Sequence, residues 1–164
     1  SKAYFEAHGE PLFTAMNRQE LKDQVRIVHQ NDSFLAYIPY FNDYPYGVFI
    51  VTKHQRPNLL AMTEPELTDL AEMLQSVTGA FDTLFDKPFP YMMCLQQCPV
   101  NMSEYADAAQ YFHFHIEFYT PLRSKDKIKW MASSETGAGA AANTLYVEDT
   151  AVELRIALKK YRQA

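Results

Sequence analysis

The segment Tyr111–Tyr119, YFHFHIEFY, places two histidines and a glutamate at every second position. If this segment is a β-strand, His113, His115 and Glu117 share one face, because side chains alternate along a strand. Neighbours on that face lie about 6 to 7 Å apart, so the three groups can converge on one metal ion or one phosphate. Imidazole and carboxylate suit zinc or iron, and an imidazole held in one tautomer can attack phosphorus. The pattern favours a functional strand over a merely solvated sheet face.

Other reactive side chains give weaker indications. His54 follows an apolar run and has basic neighbours, a pattern more typical of a solvated strand end than of an anion site. Cys94 and Cys98 are four residues apart, which suits neither a zinc pair nor a bridge within one strand. We expect two reduced, mostly buried thiols.

The elements that must position the histidine strand can be predicted from hydrophobic periodicity. Alternating runs on both sides of Asn31-Asp32 predict a hairpin, after a helical lead-in at residues 17–24. Thr63 and Glu66 form a capping-box pattern that begins a long amphipathic helix. Further predicted elements are strands at 46–53, 90–97, 111–119 and from 126, and a closing helix at 147–162. This order predicts one α+β domain spanning residues 1–164, an antiparallel sheet with helices packed on one face.

Composition limits the classes of partner. The chain has 164 residues and a net charge of −5, with no basic block that could neutralise a phosphate backbone, so we expect no nucleic-acid partner. No apolar run reaches the roughly 18 residues of a membrane-spanning helix. The start of the chain lacks the basic and apolar segments of an export signal. We expect a cytoplasmic protein without membrane contact.

Five further segments are distinctive: AYFEAHGEPLF, RIVHQNDSFLAYIPYFNDYPYGVFIVTKH, FPYMMCLQQCPVN, HFHIEFYTPLRSKDKIKWMASSETGAG and EDTAVELR. Together they resemble the C-terminal half of the hexose-1-phosphate uridylyltransferases, the galactose-1-phosphate enzymes of the Leloir pathway. Their order and spacing match the family over nearly the whole chain. That family belongs to the histidine-triad superfamily and has two related α+β halves in each subunit. The resemblance therefore implies a histidine-triad-like fold.

The resemblance also implies an activity, a nucleotidyl transfer in galactose metabolism. A histidine of the first half takes UMP from UDP-glucose and passes it to galactose 1-phosphate. This nucleophile lies in a His-Pro-His motif, which the present sequence lacks. The chain is therefore expected to be a C-terminal domain, inactive alone, of an enzyme that is a homodimer at full length. The start without Met agrees with a missing N-terminal half.

Site residues are carried over by position within the resemblance. The implied contacts to hexose and phosphate fall on Lys129, Trp130, Ala132, Ser134 and Glu135. A lysine here offsets phosphate charge, a tryptophan packs on the sugar or an apolar wall, and a glutamate accepts sugar hydroxyls.

A structural zinc or iron ion is implied as well, because some family members hold a metal between their halves. Its second-half ligands fall on Gln96, His115 and Glu117, with His113 as a further candidate. Gln96 stands where a histidine is expected, and a neutral amide is a weak ligand for zinc or iron. Ala141 stands where some members carry a glutamine that touches the hexose.

Two other functions are compatible with the residues. The chain could be a stand-alone histidine-triad nucleotide hydrolase or transferase with His115 as its nucleophile, although Glu117 would then repel the attacked phosphate. Alternatively, it could be a noncatalytic interaction domain, marked by an exposed apolar patch of more than a few hundred Å².

Overall fold

The structure is a computed structural model and describes residues 1–163. Five strands form one antiparallel sheet in the order β1-β2-β3-β5-β4. They are β1 (Ile27–Gln30), β2 (Phe34–Tyr37), β3 (Phe49–Thr52), β4 (Met92–Gln96) and β5 (His115–Tyr119). A separate two-stranded ribbon consists of β6 (Leu122–Ser124) and β7 (Lys127–Ile128). The helices are α1 (Lys2–His8), α2 (Leu12–Asp23), α3 (Glu64–Leu84), α4 (Ser133–Ala138) and α5 (Val147–Tyr161).

Local sequence signals explain two of these elements. The Asn31 side chain accepts a hydrogen bond from the Phe34 N–H at 2.9 Å, which fixes the turn of the predicted β1–β2 hairpin. At the start of α3, the Glu66 carboxylate accepts from the Thr63 N–H at 2.8 Å, and the Thr63 hydroxyl accepts from the Glu66 N–H at 3.5 Å. The predicted capping box is therefore confirmed.

The main core lies between one face of the sheet and the two long helices. Apolar side chains of α3, α5 and every second residue of β2, β3 and β5 form one cluster. The predicted α+β fold, an antiparallel sheet with packed helices, is thus confirmed, and both long helices lie on this one face.

The lead-in helix α2 begins earlier than predicted and lies on the other face of the sheet. Its Phe13 belongs to a second, smaller cluster with Leu35, Tyr37, Phe49 and Val51. Since α2 has a single buried aromatic residue, its apolar periodicity was too weak to predict this packing. The face that carries the histidines is therefore partly interior.

The predicted strand at 111–119 is shorter in the structure, where β5 begins at His115. A short 3-10 turn at Ala108–Gln110 precedes it, and the Phe112 N–H still donates to the Ala108 carbonyl at 2.8 Å. The Phe114 N–H donates to the Arg56 carbonyl at 2.6 Å. A local turn thus includes the first residues of this alternating segment, and the hydrogen bond between Phe114 and Arg56 holds the chain where it enters β5.

The two edges of the sheet differ. At β1, the Arg155 guanidinium of α5 donates to the carbonyls of Val25 at 3.0 Å and Ile27 at 2.6 Å. Among residues 1–163, no side chain hydrogen-bonds to the outer edge of β4 in this way. The side chains of β4 are exposed on both faces, with Met92 at 57%, Met93 at 41% and Leu95 at 42% of full exposure. Carbonyl groups at the β1 edge thus have hydrogen-bond donors, whereas the β4 edge is open.

Both cysteines are free thiols, as predicted. However, Cys94 lies exposed on β4 and Cys98 is half-buried, so the prediction of mostly buried thiols is wrong for Cys94. Its strand forms the open edge, which periodicity alone cannot indicate. None of the helices within residues 1–163 is long and apolar enough to cross a bilayer.

Candidate functional site

His113 is a buried, neutral side chain. Its ring is 1% exposed, and its Nε2–H donates to the Thr52 carbonyl at 2.7 Å. Burial lowers the pKa of His113 to about 4, since a charged ring would be poorly solvated there. Its Nδ1 atom has no partner in the described part of the chain. This histidine therefore holds the approach to β5 against the end of β3.

His115 begins a chain of hydrogen bonds along β5. Its Nδ1–H donates to the His113 carbonyl at 2.8 Å, and its Nε2 lies 3.0 Å from Glu117 Oε1. The other oxygen of Glu117 accepts from the Tyr119 hydroxyl. The hydrogen bond with His115 lowers the pKa of Glu117. The His115 imidazole and the Glu117 carboxylate are thus joined through Nε2 and Oε1.

Aromatic rings enclose this pair. The centroid of the Phe13 ring lies 4.2 Å from that of His115, and the Phe49 ring lies 6.0 Å away. His115 is consequently only 7% exposed. It faces a cavity of about 410 Å³, whose lining includes Glu117 and Tyr119. The walls of this cavity include the aromatic rings of Phe13, Phe49 and Tyr119.

The predicted metal ligands do not fit a zinc or iron ion by themselves. Gln96 on β4 is in register with His115 on β5, so the two lie side by side. His113 instead donates to Thr52. Within residues 1–163, no group of three His, Cys, Asp or Glu side chains could hold a metal ion. His115 and Glu117 supply two ligands, whereas structural zinc takes four.

Lys129, the predicted phosphate contact, points into the protein. Its ammonium group donates to the Asp43 carbonyl at 2.7 Å and lies 3.4 Å from Glu135 Oε1. It also lies 5.7 Å from the centre of the Tyr44 ring, a cation–π contact. The side chain is 2% exposed. Lys129 therefore connects the ribbon to the loop before β3 and holds the Glu135 carboxylate.

The other predicted substrate residues lie around one cavity. Trp130 is 77% exposed, and the Glu135 carboxylate accepts from the Ala132 N–H at 3.2 Å and the Ser134 hydroxyl at 3.0 Å. Hydrogen bonds from its own N–H, from Ser134 and from Ala132 lower the pKa of Glu135 to about 2, so it is ionised at neutral pH. The cavity measures about 310 Å³ and is lined by Arg123, Ile128, Lys129, Trp130, Ala132, Glu135, Ala142 and Thr144.

Comparison with known proteins decides the family. The family model described as "Galactose-1-phosphate uridyl transferase, C-terminal domain" matches residues 1–163. The chain belongs to the galactose-1-phosphate uridylyltransferase family. The enzyme of that name from Thermotoga maritima is 41% identical over 136 residues, which are 83% of this chain and 42% of that protein. The Kluyveromyces lactis enzyme is 35% identical over 153 residues, which are 93% of this chain and 40% of that protein.

Solved structures agree with this assignment. A uridylyltransferase structure is 32% identical to the chain, with a TM-score of 0.84, covering 97% of this chain and 48% of that one. A Zn-bound histidine-triad protein from Mycobacterium smegmatis shares the fold, with a TM-score of 0.57 at 15% identity, covering 93% and 96% of the two chains. The predicted uridylyltransferase resemblance and histidine-triad-like fold are both confirmed. The chain spans about 40% of the length of the curated uridylyltransferases named above.

The sequence did not indicate two side chains beside these cavities. Phe13 covers His115, but a lone phenylalanine in a polar helix gives no signal of that contact. Arg123 lines the same cavity as Trp130 and Glu135. It stands inside the matched segment, in PLRSKDK, so the segment itself could have indicated it.

Replacing Lys129 by methionine is expected to lower the free energy of unfolding by about 1–3 kcal/mol, as for the loss of a charge-assisted hydrogen bond. The Asp43 carbonyl would lose its donor, and Glu135 would lose its nearest cation. Urea denaturation would measure the change. Lys127→Met, an exposed neighbour on β7, is the matched control and should change stability little. Equal stability of the two variants would contradict a structural role for Lys129.

Proposed function

We propose that this chain is the C-terminal domain of a UDP-glucose:hexose-1-phosphate uridylyltransferase, which transfers UMP between UDP-glucose and galactose 1-phosphate. The observation that carries the proposal is the cavity beside α4. Four of the five residues predicted to contact substrate line it: Lys129, Trp130, Ala132 and Glu135. The fifth, Ser134, donates to Glu135. Residues that the family resemblance selected one by one are thus neighbours in space.

Each of these residues has a distinct role in the proposal. The exposed Trp130 ring offers an apolar surface on which a sugar can pack. The Glu135 carboxylate is ionised and fixed at the start of α4, so it can accept hydrogen bonds from sugar hydroxyls. Lys129 positions this carboxylate instead of meeting the phosphate directly.

The histidine strand serves as a support in this proposal. An attacking imidazole needs a free Nε2, whereas Nε2 of His115 is held by Glu117, whose charge would repel a phosphate. This geometry argues against a stand-alone hydrolase that uses His115. The nucleophile belongs to the part of the full-length enzyme that precedes this domain. A zinc or iron ion at His115 and Glu117 would cross-link the two parts, with its remaining ligands supplied from outside this chain.

The open edge at β4 is where we place that missing part. Within residues 1–163 its backbone pairs with β5 on one side and with no strand on the other, and apolar side chains are exposed on both of its faces. Such an edge is normally covered in a folded protein. The alternative function of an interaction domain is therefore part of this proposal, because β4 is the surface to which the N-terminal half docks. At full length we expect a cytoplasmic homodimer.

The experiment that tests the proposal uses the full-length protein, with UDP-glucose and galactose 1-phosphate as substrates. Glu135→Ala is expected to raise KM or lower kcat so that kcat/KM falls about tenfold, because a charge-assisted contact to the hexose is lost. Glu104→Ala removes an exposed carboxylate outside the cavity and should leave the kinetics unchanged. Unchanged kinetics in both Glu135→Ala and Lys129→Ala would reject the proposed substrate role.

A separate assay addresses the alternative reading. This chain alone is expected to take up no acid-labile label from radiolabelled UDP-glucose and to turn over no nucleotide phosphoramidate. Label or turnover that disappears in His115→Ala would instead make the histidine strand catalytic.

A further inference from the structure

The cavity beside α4 has two basic side chains in its lining, Lys129 and Arg123. The Lys129 ammonium group already forms an ion pair with Glu135 and a hydrogen bond to the Asp43 carbonyl. Since Lys129 and Glu135 offset each other, the lining of the cavity carries a net charge of about +1, and Arg123 supplies it. An anion that enters the cavity is therefore attracted by Arg123.

Arg123 is placed to meet a ligand. It lies on β6, exposed, and its guanidinium has no carboxylate within ion-pair distance in the described range 1–163. Three adjoining cavities have it in their lining, and the largest, about 690 Å³, also shares Thr144 with the cavity beside α4. The side chain therefore stands where these spaces meet.

We propose that Arg123 binds the phosphate of hexose 1-phosphate in this cavity. The inference rests on the proposed function and replaces the role that the sequence assigned to Lys129. A guanidinium presents two parallel N–H donors that match two phosphate oxygens, so it fixes orientation as well as charge. With the phosphate on Arg123, the sugar ring lies between Trp130 and Glu135, which line the same cavity.

The size and charge of the cavity agree with a sugar phosphate. Its volume of about 310 Å³ is at the lower end of the range for small-molecule sites. The free cation and the ionised carboxylate of Glu135 require a ligand that has both an anionic group and hydroxyl donors. A hexose 1-phosphate has both, whereas inorganic phosphate would use Arg123 alone.

The test measures steady-state kinetics of the full-length protein with galactose 1-phosphate varied at saturating UDP-glucose. Arg123→Met is expected to raise the KM for galactose 1-phosphate about 10- to 100-fold, as for the loss of a charge-assisted hydrogen bond. Arg123→Lys keeps the charge but loses the paired donors, so its KM should be intermediate. Lys125→Met removes a neighbouring exposed cation outside the cavity and should leave KM near that of the wild type.

Two further readouts keep the outcomes distinct. Urea denaturation of each variant shows whether the fold is intact. A KM that falls in the order Arg123→Met, Arg123→Lys, wild type would not arise from a merely structural role. If wild-type protein shows no uridylyl transfer, the proposed function itself fails. If the wild type is active, the KM values for galactose 1-phosphate decide the assignment. A KM of Arg123→Met within twofold of the wild-type KM, together with a tenfold higher KM of Lys129→Met, would overturn the assignment of the phosphate to Arg123.

Discussion

This chain, produced by itself, is expected to self-associate through β4, and the double variant Met93→Lys/Leu95→Lys should remain monomeric. Met93 lies opposite Phe118 and Leu95 lies opposite Ile116 in the β4–β5 pair, so both share one face of β4, and both are exposed. An unguarded strand with apolar side chains offers backbone donors and acceptors to any second strand. Two lysines would have to be desolvated on pairing, which prevents it.

Analytical ultracentrifugation across a range of concentrations measures the effect. We expect the dissociation constant to rise at least about 100-fold, the equivalent of some 3 kcal/mol. Val152→Lys/Ile156→Lys is the matched control, because it places two lysines at exposed apolar positions of α5, away from the edge. The control should associate as the wild type does. A wild-type chain that stays monomeric at high concentration would contradict an open edge.

The second large effect is expected at His115. Replacing it by alanine should lower the free energy of unfolding by about 2–4 kcal/mol, through a cavity beside Phe13 and the loss of the partner of Glu117. Under the proposed function, the rate at which the nucleophilic histidine of the full-length protein takes UMP should change far less. Urea denaturation and a single-turnover assay with labelled UDP-glucose measure the two quantities separately.

The exposed His54 provides a matched substitution for this experiment. Its change to alanine should alter stability by less than about 0.5 kcal/mol. If the full-length enzyme contains zinc or iron at this strand, His115→Ala should also reduce the metal that is retained after gel filtration. A His115→Ala enzyme with full stability but no uridylyl transfer would move His115 into the catalytic role.

Short-range patterns in the sequence were sufficient for most of the fold. The alternation on both sides of Asn31 gave the hairpin, and Thr63 with Glu66 gave the start of α3, because each signal depends on neighbours in the chain. Failures occurred where distant segments decide the outcome. The contact between Phe13 and His115 joins residues about a hundred positions apart, so no local period could reveal it.

In the candidate site, too, some features could be predicted from the sequence and others depend on distant segments. The residue types of the alternating segment identified His115 and Glu117, and the family resemblance identified Trp130 and Glu135. The structure places all four beside cavities. The partner of Lys129 could not be read from its position, because its burial depends on how the ribbon folds onto the Asp43 loop. Likewise, the exposure of Cys94 depends on β4 lying at the edge of the sheet, which strand order decides.

Because the two edges of the sheet differ, this domain can bind one further strand, at β4. Arg155 occupies the carbonyls of Val25 and Ile27, so no strand can be added beside β1 without displacing it. A sheet that is open at one end only can accept a single neighbour, and growth then stops. For a family built from two related halves, this asymmetry permits a finite pair and disfavours an open-ended fibre.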